Sequence, residues 1–423
     1  MVDRTKAPVF KKIDSISLQN PEKHLFDNGA PLFVINAGSQ PILRLEFIIR
    51  AGIWYESKPG LAYFTSKMLL EGTETKSAHE ISYLFDRFGA HIEITPGFDF
   101  LTIAIYTLSK HLPALLPIIR EILTEPTFPN PELETLKKIK IQNTRVNSEK
   151  TNYLASVNFR KKLFGDHHPY GKELTEEEIQ DISLEDLQVF YQEYLFNEWE
   201  IILSGQVESI HIELIRNYFE THPRNSLELN SYLSSNENTC PSIIEKSSSL
   251  QSSIRIGKKL FTKDHPYFHK IQIVNEILGG YFGSRLMKNI REDKGFTYGI
   301  HSNVISLRKE GYLVIGTDVK KENTVQTIEE IYKEVRILSE SPVEDLELET
   351  VKNFMTGSFL AEINTPFALA DKFKSVHLHG LHVEIYQDYI QTINNIDSDS
   401  ILEIANKYLS ENEFVEVIAG GID

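Results

Sequence analysis

The chain has 423 residues, 41% hydrophobic and 25% charged, which makes it a globular protein with material for about two to four domains and excludes a low-complexity class. Its formal net charge is −16, and no basic stripe interleaves with aromatic residues, so no nucleic-acid partner is expected. A single cysteine, Cys240, excludes an intrachain disulfide and a cysteine-based metal site.

No apolar run approaches the ~18 residues that span a membrane, so no membrane partner is expected. The N-terminus, Met1 to Pro8, lacks the apolar core of a signal peptide. The expected compartment is the cytoplasm, with the periplasm open if a leader has been lost.

In chain order, Ile42 to Arg50 reads as a strand that ends at Gly52. Phe98 to Leu108 is β-branched and aromatic and predicts a second strand. Leu115, Ile118, Ile119 and Leu123 have helical spacing and predict a helix over Leu112 to Leu123. A further helix, Glu132 to Arg145, follows the turn Pro129-Asn130-Pro131.

Much of this recurs. Leu133-Glu134-Thr135-Leu136-Lys137-Lys138 returns 215 residues later as Leu348-Glu349-Thr350-Val351-Lys352-Asn353. At the same offset Gly205, at the end of an apolar strand, meets Gly420, at the end of another. Two matches at one offset indicate a duplicated module of about 200 residues. The Ser- and Asn-rich stretch from Asn225 to Ser249 reads as a linker, placing a boundary near residue 235. The expected fold is α+β: two homologous domains, 1–235 and 236–423, each with a largely antiparallel sheet and packed helices. In the second copy, Ser284 to Glu292 predicts a helix, Gly295 its left-handed stop and Thr297 onward a strand. That puts Arg291 on a last helical turn and Tyr298 at a strand's start, both aimed at one spot.

Gly60-Leu61-Ala62-Tyr63-Phe64-Thr65-Ser66-Lys67-Met68-Leu69-Leu70-Glu71-Gly72-Thr73 resembles the segment that carries the inverted zinc motif His-x-x-Glu-His in the M16 metallopeptidases, the insulinase and processing-peptidase family. In this frame Tyr63 and Lys67 stand at the positions of the two histidines, Ser66 at that of the general-base glutamate, and Asn143 near that of the distal glutamate ligand. A catalytic zinc needs three ligands drawn from imidazole, thiolate and carboxylate, plus an open position for water. Tyr, Lys and Asn do not supply them. An ammonium such as that of Lys67 would oppose a divalent cation by roughly 8 kcal/mol at about 4 Å and an effective dielectric near 20. Ser66 has no carboxylate with which to take a proton from bound water.

Gly279-Gly280-Tyr281-Phe282-Gly283, running into Arg291-Glu292-Asp293-Lys294-Gly295-Phe296-Thr297-Tyr298, resembles the family's C-terminal signature, a glycine-rich loop followed by a paired arginine and tyrosine. The resemblance implies that Arg291 and Tyr298 stabilise a substrate carbonyl or its transition state. It implies that Gly279, Gly280 and Gly283 touch substrate. It also implies two homologous domains forming half of a clam-shell chamber.

One expectation joins both halves. The chain is a non-catalytic subunit, inactive alone and without a cofactor of its own. It pairs as a heterodimer with an M16 subunit that carries His-x-x-Glu-His and the zinc, and acts on an extended peptide docked by strand addition. The alternative is a peptide-binding or scaffold protein derived from a peptidase, of the respiratory-core type, with Arg291 and Tyr298 as relics.

Other signals read as structural. His377-x-His379-x-x-His382 has no carboxylate placed to complete a metal site. His167-His168 belongs to a turn. His301 shares a strand face poorly with Tyr298 at odd spacing. Gly279-Gly280-x-x-Gly283 lacks the Gly-Lys-Ser/Thr ending of a phosphate loop.

Overall fold

A computed structural model of the chain describes residues 13, 15–195, 197–222, 224, 232, 241–246 and 248–421. The strand β3 (Ile42–Ile49) shows why the first half folds as it does. Leu43, Leu45, Phe47 and Ile49 alternate onto one face and are fully buried, as a period of two dictates. The other face, with Arg44, Glu46 and Ile48, is also buried, so the strand reads as a continuous apolar run with two charges set into it.

The remaining strands of this sheet are β1 (Glu22–Leu25), β2 (Pro31–Asn36), β4 (His91–Pro96), β5 (Leu101–Leu108) and β6 (Trp199–Gly205). Their order is β1-β2-β6-β3-β5-β4, antiparallel throughout except where β2 runs beside β6. The second sheet holds β7 (Ser242–Glu245), β8 (Gln251–Leu260), β9 (Ile300–Ser306), β10 (Gly311–Lys320) and β11 (Val415–Gly420), in the order β7-β11-β8-β10-β9. It too has a single parallel pair, β7 with β11. Apart from the extra edge strand β1, the two sheets share one topology. The expected α+β fold with two largely antiparallel sheets is what the chain adopts.

The repeat extends to the helices. Asn130–Ser148 and Asp345–Glu362 begin 215 residues apart, as do Thr151–Phe164 and Pro366–His377. The latter pair is exchanged. Thr151–Phe164 packs on β8 and β11 of the second sheet, while Pro366–His377 packs on β6 and β2 of the first. Phe159, Leu163 and Phe164 join a core with Tyr312, Val415 and Val417. Ala370, Phe373 and Val376 cover Phe33, Ile35, Ile48 and Ile202. Arg44 pairs with Asp371 at 2.9 Å, and Glu46 with Lys374, so the charges buried in β3 are met by the exchanged helix.

Three boundaries differ from the sequence reading. The strand expected from Phe98 begins at Leu101, because Gly97 N–H donates to Phe100 O at 2.8 Å and closes the β4–β5 hairpin there. The helix expected over Ser284 to Glu292 becomes a π-helix over Met287–Asp293 and stops at Gly295, whose φ is +66°. The strand expected from Thr297 begins at Ile300. Thr297 Oγ1 accepts from Gly299 N–H at 3.1 Å and donates to Asp318 O at 2.8 Å, so its side chain closes a turn with Tyr298 at the apex. The proposed boundary at residue 235, most of the linker and Cys240 lie outside the described residues. Among the described residues, no helix is long and apolar enough to cross a membrane.

Candidate functional site

Tyr63, Ser66 and Lys67 lie on the helix Leu61–Met68. Its start is fixed from before: the Glu56 carboxylate accepts from Gly60 N–H at 3.0 Å and Ala62 N–H at 2.7 Å, an acid at a helix N-terminus. Burial nonetheless raises Glu56 to about 7, against the opposing pull of those two donors. Gly60 holds φ +96°, and a Cβ there would stand 2.9 Å from Ile182 Cδ1. The frame of the segment is therefore a packing requirement.

Its chemistry is different. Ser66 is fully buried and its hydroxyl donates back to Tyr63 O at 2.7 Å. Lys67 reaches over to β4, donating to Ile94 O at 3.1 Å. The facing helix, Asn130–Ser148, presents Lys140, whose ammonium lies 4.5 Å from the centroid of the Tyr63 ring. Burial lowers Lys140 from its usual value, with Glu173 opposing. Burial likewise raises the Tyr63 phenol. Asn143, one turn beyond Lys140, is exposed. Two cations, a phenol and a back-bonded hydroxyl occupy the place, and these residues do not fit a zinc ion. Among the described residues, no group of three or more His, Cys, Asp or Glu side chains is arranged to hold a metal. Lys140 was missed in the sequence, although helical periodicity puts it on the same face as Asn143 one turn earlier.

In the second half the glycines serve close packing. A Cβ on Gly279 would stand 2.7 Å from Ser302 Oγ of β9, one on Gly280 2.5 Å from Glu276 Oε2, and one on Gly283 2.8 Å from the Tyr281 ring. Arg291 does not meet Tyr298, contrary to the sequence expectation. Its guanidinium lies over the ring of Phe282, 4.5 Å from the centroid, and Phe282 is itself 64% exposed. Tyr298 is 97% exposed and borders a different cleft, of about 230 Å³, with Arg255, His301 and Asp318. The π-helix and the Thr297 turn, neither written in the periodicity, set where the two residues sit, and no hydrogen bond joins them among the described residues. The same turn brings Tyr298 beside His301: Tyr298 is not in the strand, so alternation does not separate the two.

Two further cavities were not expected. One, of about 500 Å³, is lined by Gly280 of the glycine loop with His269, Glu276, Phe359, Glu362 and Tyr386. Burial, then the neighbouring Glu362, raises Glu276 to about 7; burial, then Lys372, lowers Lys263 on the rim to about 8. The other, of about 410 Å³, lies at the junction of the halves among Arg50, Glu200, Arg308, His377 and His379. There His377 Nε2 pairs with Glu200 at 2.9 Å and His379 Nε2 with Leu307 O at 3.1 Å. His377 thus ties the halves together, while His379 bonds within the second half. His168, buried, stacks on Phe164.

Comparison with known proteins bears on both halves. Residues 33–170 match the model described as "Insulinase (Peptidase family M16)", and residues 181–355 the model "Peptidase M16 inactive domain". An "uncharacterized zinc protease YmxG" of Bacillus subtilis is 23% identical over 403 residues, covering 94% of this chain and 98% of that one. A "non-peptidase homolog YmxG" of Helicobacter pylori is 24% identical over 367 residues, covering 85% and 84%. A crystal structure described as a peptidase M16 inactive domain, from Pseudomonas fluorescens, superposes with a TM-score of 0.86 at 22% identity, over 96% of this chain and 99% of that one.

Proposed function

The chain belongs to peptidase family M16, and from that premise we propose that it is the non-catalytic subunit of a heteromeric zinc peptidase. Its partner carries His-x-x-Glu-His and the zinc; this chain contributes chamber wall, peptide-binding surface and the Arg291/Tyr298 segment. The observation that carries the reading is the contrast between the two halves. The positions of the zinc motif hold Tyr63, Ser66 and Lys67, with Lys140 packed against them, while the glycine loop and the arginine and tyrosine remain in frame.

The substrate is an extended peptide. Among the described residues β9 is an edge strand of the second sheet, where a further strand can add, and the glycine loop packs against it. Tyr298 and Phe282, exposed on this chain, are free to meet a substrate or a facing subunit. The test is peptide turnover by the assembled pair. Arg291→Ala is expected to lower turnover at least tenfold with assembly intact. Unchanged turnover would remove the transition-state role.

A second reading is favoured by one observation. Arg291 stacks on Phe282 and does not converge with Tyr298. If the pair does not converge in the complex either, the chain is a peptide-binding scaffold; in that case Arg291→Ala leaves any catalysis by the assembly untouched.

A further inference from the structure

The two sheets each hold a cross-strand row with an arginine and a histidine. In the first sheet Arg44 of β3, Tyr106 of β5 and His91 of β4 are cross-strand neighbours in one row. In the second sheet a row two positions further along the repeat holds Arg255 of β8, Gly316 of β10 and His301 of β9, where the first sheet has Glu46, Ala104 and Glu93. Both the Arg44 row and the Arg255 row carry an arginine and a histidine; the residue between them is tyrosine in the one and glycine in the other.

The consequence is geometric. In the first sheet the Tyr106 ring fills the row, 5.7 Å from Phe367 and 6.3 Å from His91. Arg44 is confined to Asp371 and Glu46 and is 3% exposed. In the second sheet nothing stands at the centre, and Arg255 lies across β10. A Cβ on Gly316 would touch its Cδ and Nε at 3.4 Å. Nε donates to Ser156 Oγ at 3.1 Å and Nη1 to Ile254 O at 2.9 Å. Asp318 Oδ1 stands 3.8 Å from Nη1, too far for a hydrogen bond. Nη2 has no protein partner among the described residues, and Arg255 lines the cleft of about 230 Å³ beside Tyr298.

We propose that this cleft binds a carboxylate group, held by the Arg255 guanidinium with the Tyr298 hydroxyl as a second donor. A planar monoanion suits the arginine fork. Asp318 on the rim disfavours a dianion such as a phosphate. Burial lowers Arg255 from its usual value because its one nearby carboxylate is too distant to offset desolvation, and a closer carboxylate would reverse this. Burial and Arg255 together also lower His301, which faces the cleft as a neutral imidazole at pH 7. The carboxylate belongs to a peptide, at its C-terminus or on an acidic side chain, or to a small free acid.

Calorimetric titration of the isolated chain separates these sources. The probes are tetra-alanine with a free C-terminus, its C-terminal amide, an amidated Ala-Ala-Glu-Ala, and propionate. At least one carboxylate-bearing probe is expected to bind, tighter than the tetra-alanine amide. Arg255→Gln should weaken that binding at least tenfold. Gly316→Tyr, which sets a ring between Arg255 and His301 as Tyr106 stands between Arg44 and His91, should do the same, with circular dichroism reporting an intact fold; if that variant unfolds, Arg255→Lys replaces it. Which probe binds best identifies the source. Failure of every carboxylate probe, or binding unchanged by Arg255→Gln, overturns the proposal. The readout needs no partner subunit, so its outcome is independent of the composite-peptidase reading.

Discussion

At the scale of single residues, the positions that the resemblance aligns with the zinc motif are held by contacts of their own. Lys67 is tied to Ile94 O, Ser66 to Tyr63 O, and Lys140 covers the Tyr63 ring. Restoring ligands alone should therefore fail. The fourfold variant Tyr63→His, Ser66→Glu, Lys67→His, Asn143→Glu is expected to bind zinc poorly in equilibrium dialysis. Adding Lys140→Met should raise its affinity at least tenfold, since an ammonium a few ångströms from a dication costs several kcal/mol. Equal affinity with and without Lys140 would show that its charge does not reach the site.

Glu56 gives a second test. Its folded value, about 7, lies above the 4.5 of the free side chain, so the folded state binds more protons between those two pH values. Its contribution is present in full below about pH 4.5 and is lost as pH rises through about 7. Denaturant titrations should show that Glu56→Gln costs more stability at pH 5 than at pH 7.5, by about 1–3 kcal/mol. A cost independent of pH would contradict the assignment.

Tyr63, Ser66, Lys67 and Asn143 were singled out from the sequence frame around them. The sequence did not reveal Lys140 or Arg255, because the one depends on how two helices face each other and the other on which strands pair.

At the scale of elements, the duplication was legible because two glycines are fixed by the same contact. Gly205 and Gly420 end β6 and β11 at φ +125° and +131°. A Cβ at Gly205 would collide with Ile42 O, and one at Gly420 with Gln251 O. Gly205→Ala and Gly420→Ala are each expected to cost about 2–4 kcal/mol, measured by chemical denaturation. A loss below ~1 kcal/mol at either would mean that the backbone relaxes there. The amphipathic spacing of Leu112–Thr124 placed that helix correctly. What periodicity left out is destination. Nothing in the sequence of Thr151–Phe164 says that it covers the other half's sheet. Tyr298 was misplaced because a side-chain hydrogen bond from Thr297 outweighs β-propensity over three residues.

At the scale of the whole molecule, the exchanged helices and the His377–Glu200 pair make each half a part of the other's core. The halves are expected to present one continuous wall to whatever faces them. The second half carries the edge strand β9, the exposed Tyr298 and Phe282, and the proposed carboxylate cleft. Such a surface is what the proposed function, a subunit that completes another chain's site, requires of this chain.

The most direct measurement is gentle isolation of the protein from its native cells, with the companions identified by mass spectrometry and the complex assayed for zinc. The account predicts a companion of similar size carrying His-x-x-Glu-His, zinc in the complex, and peptide cleavage by the pair that neither chain performs alone. Recovery of the chain alone, or in an assembly that holds no such companion, would contradict it.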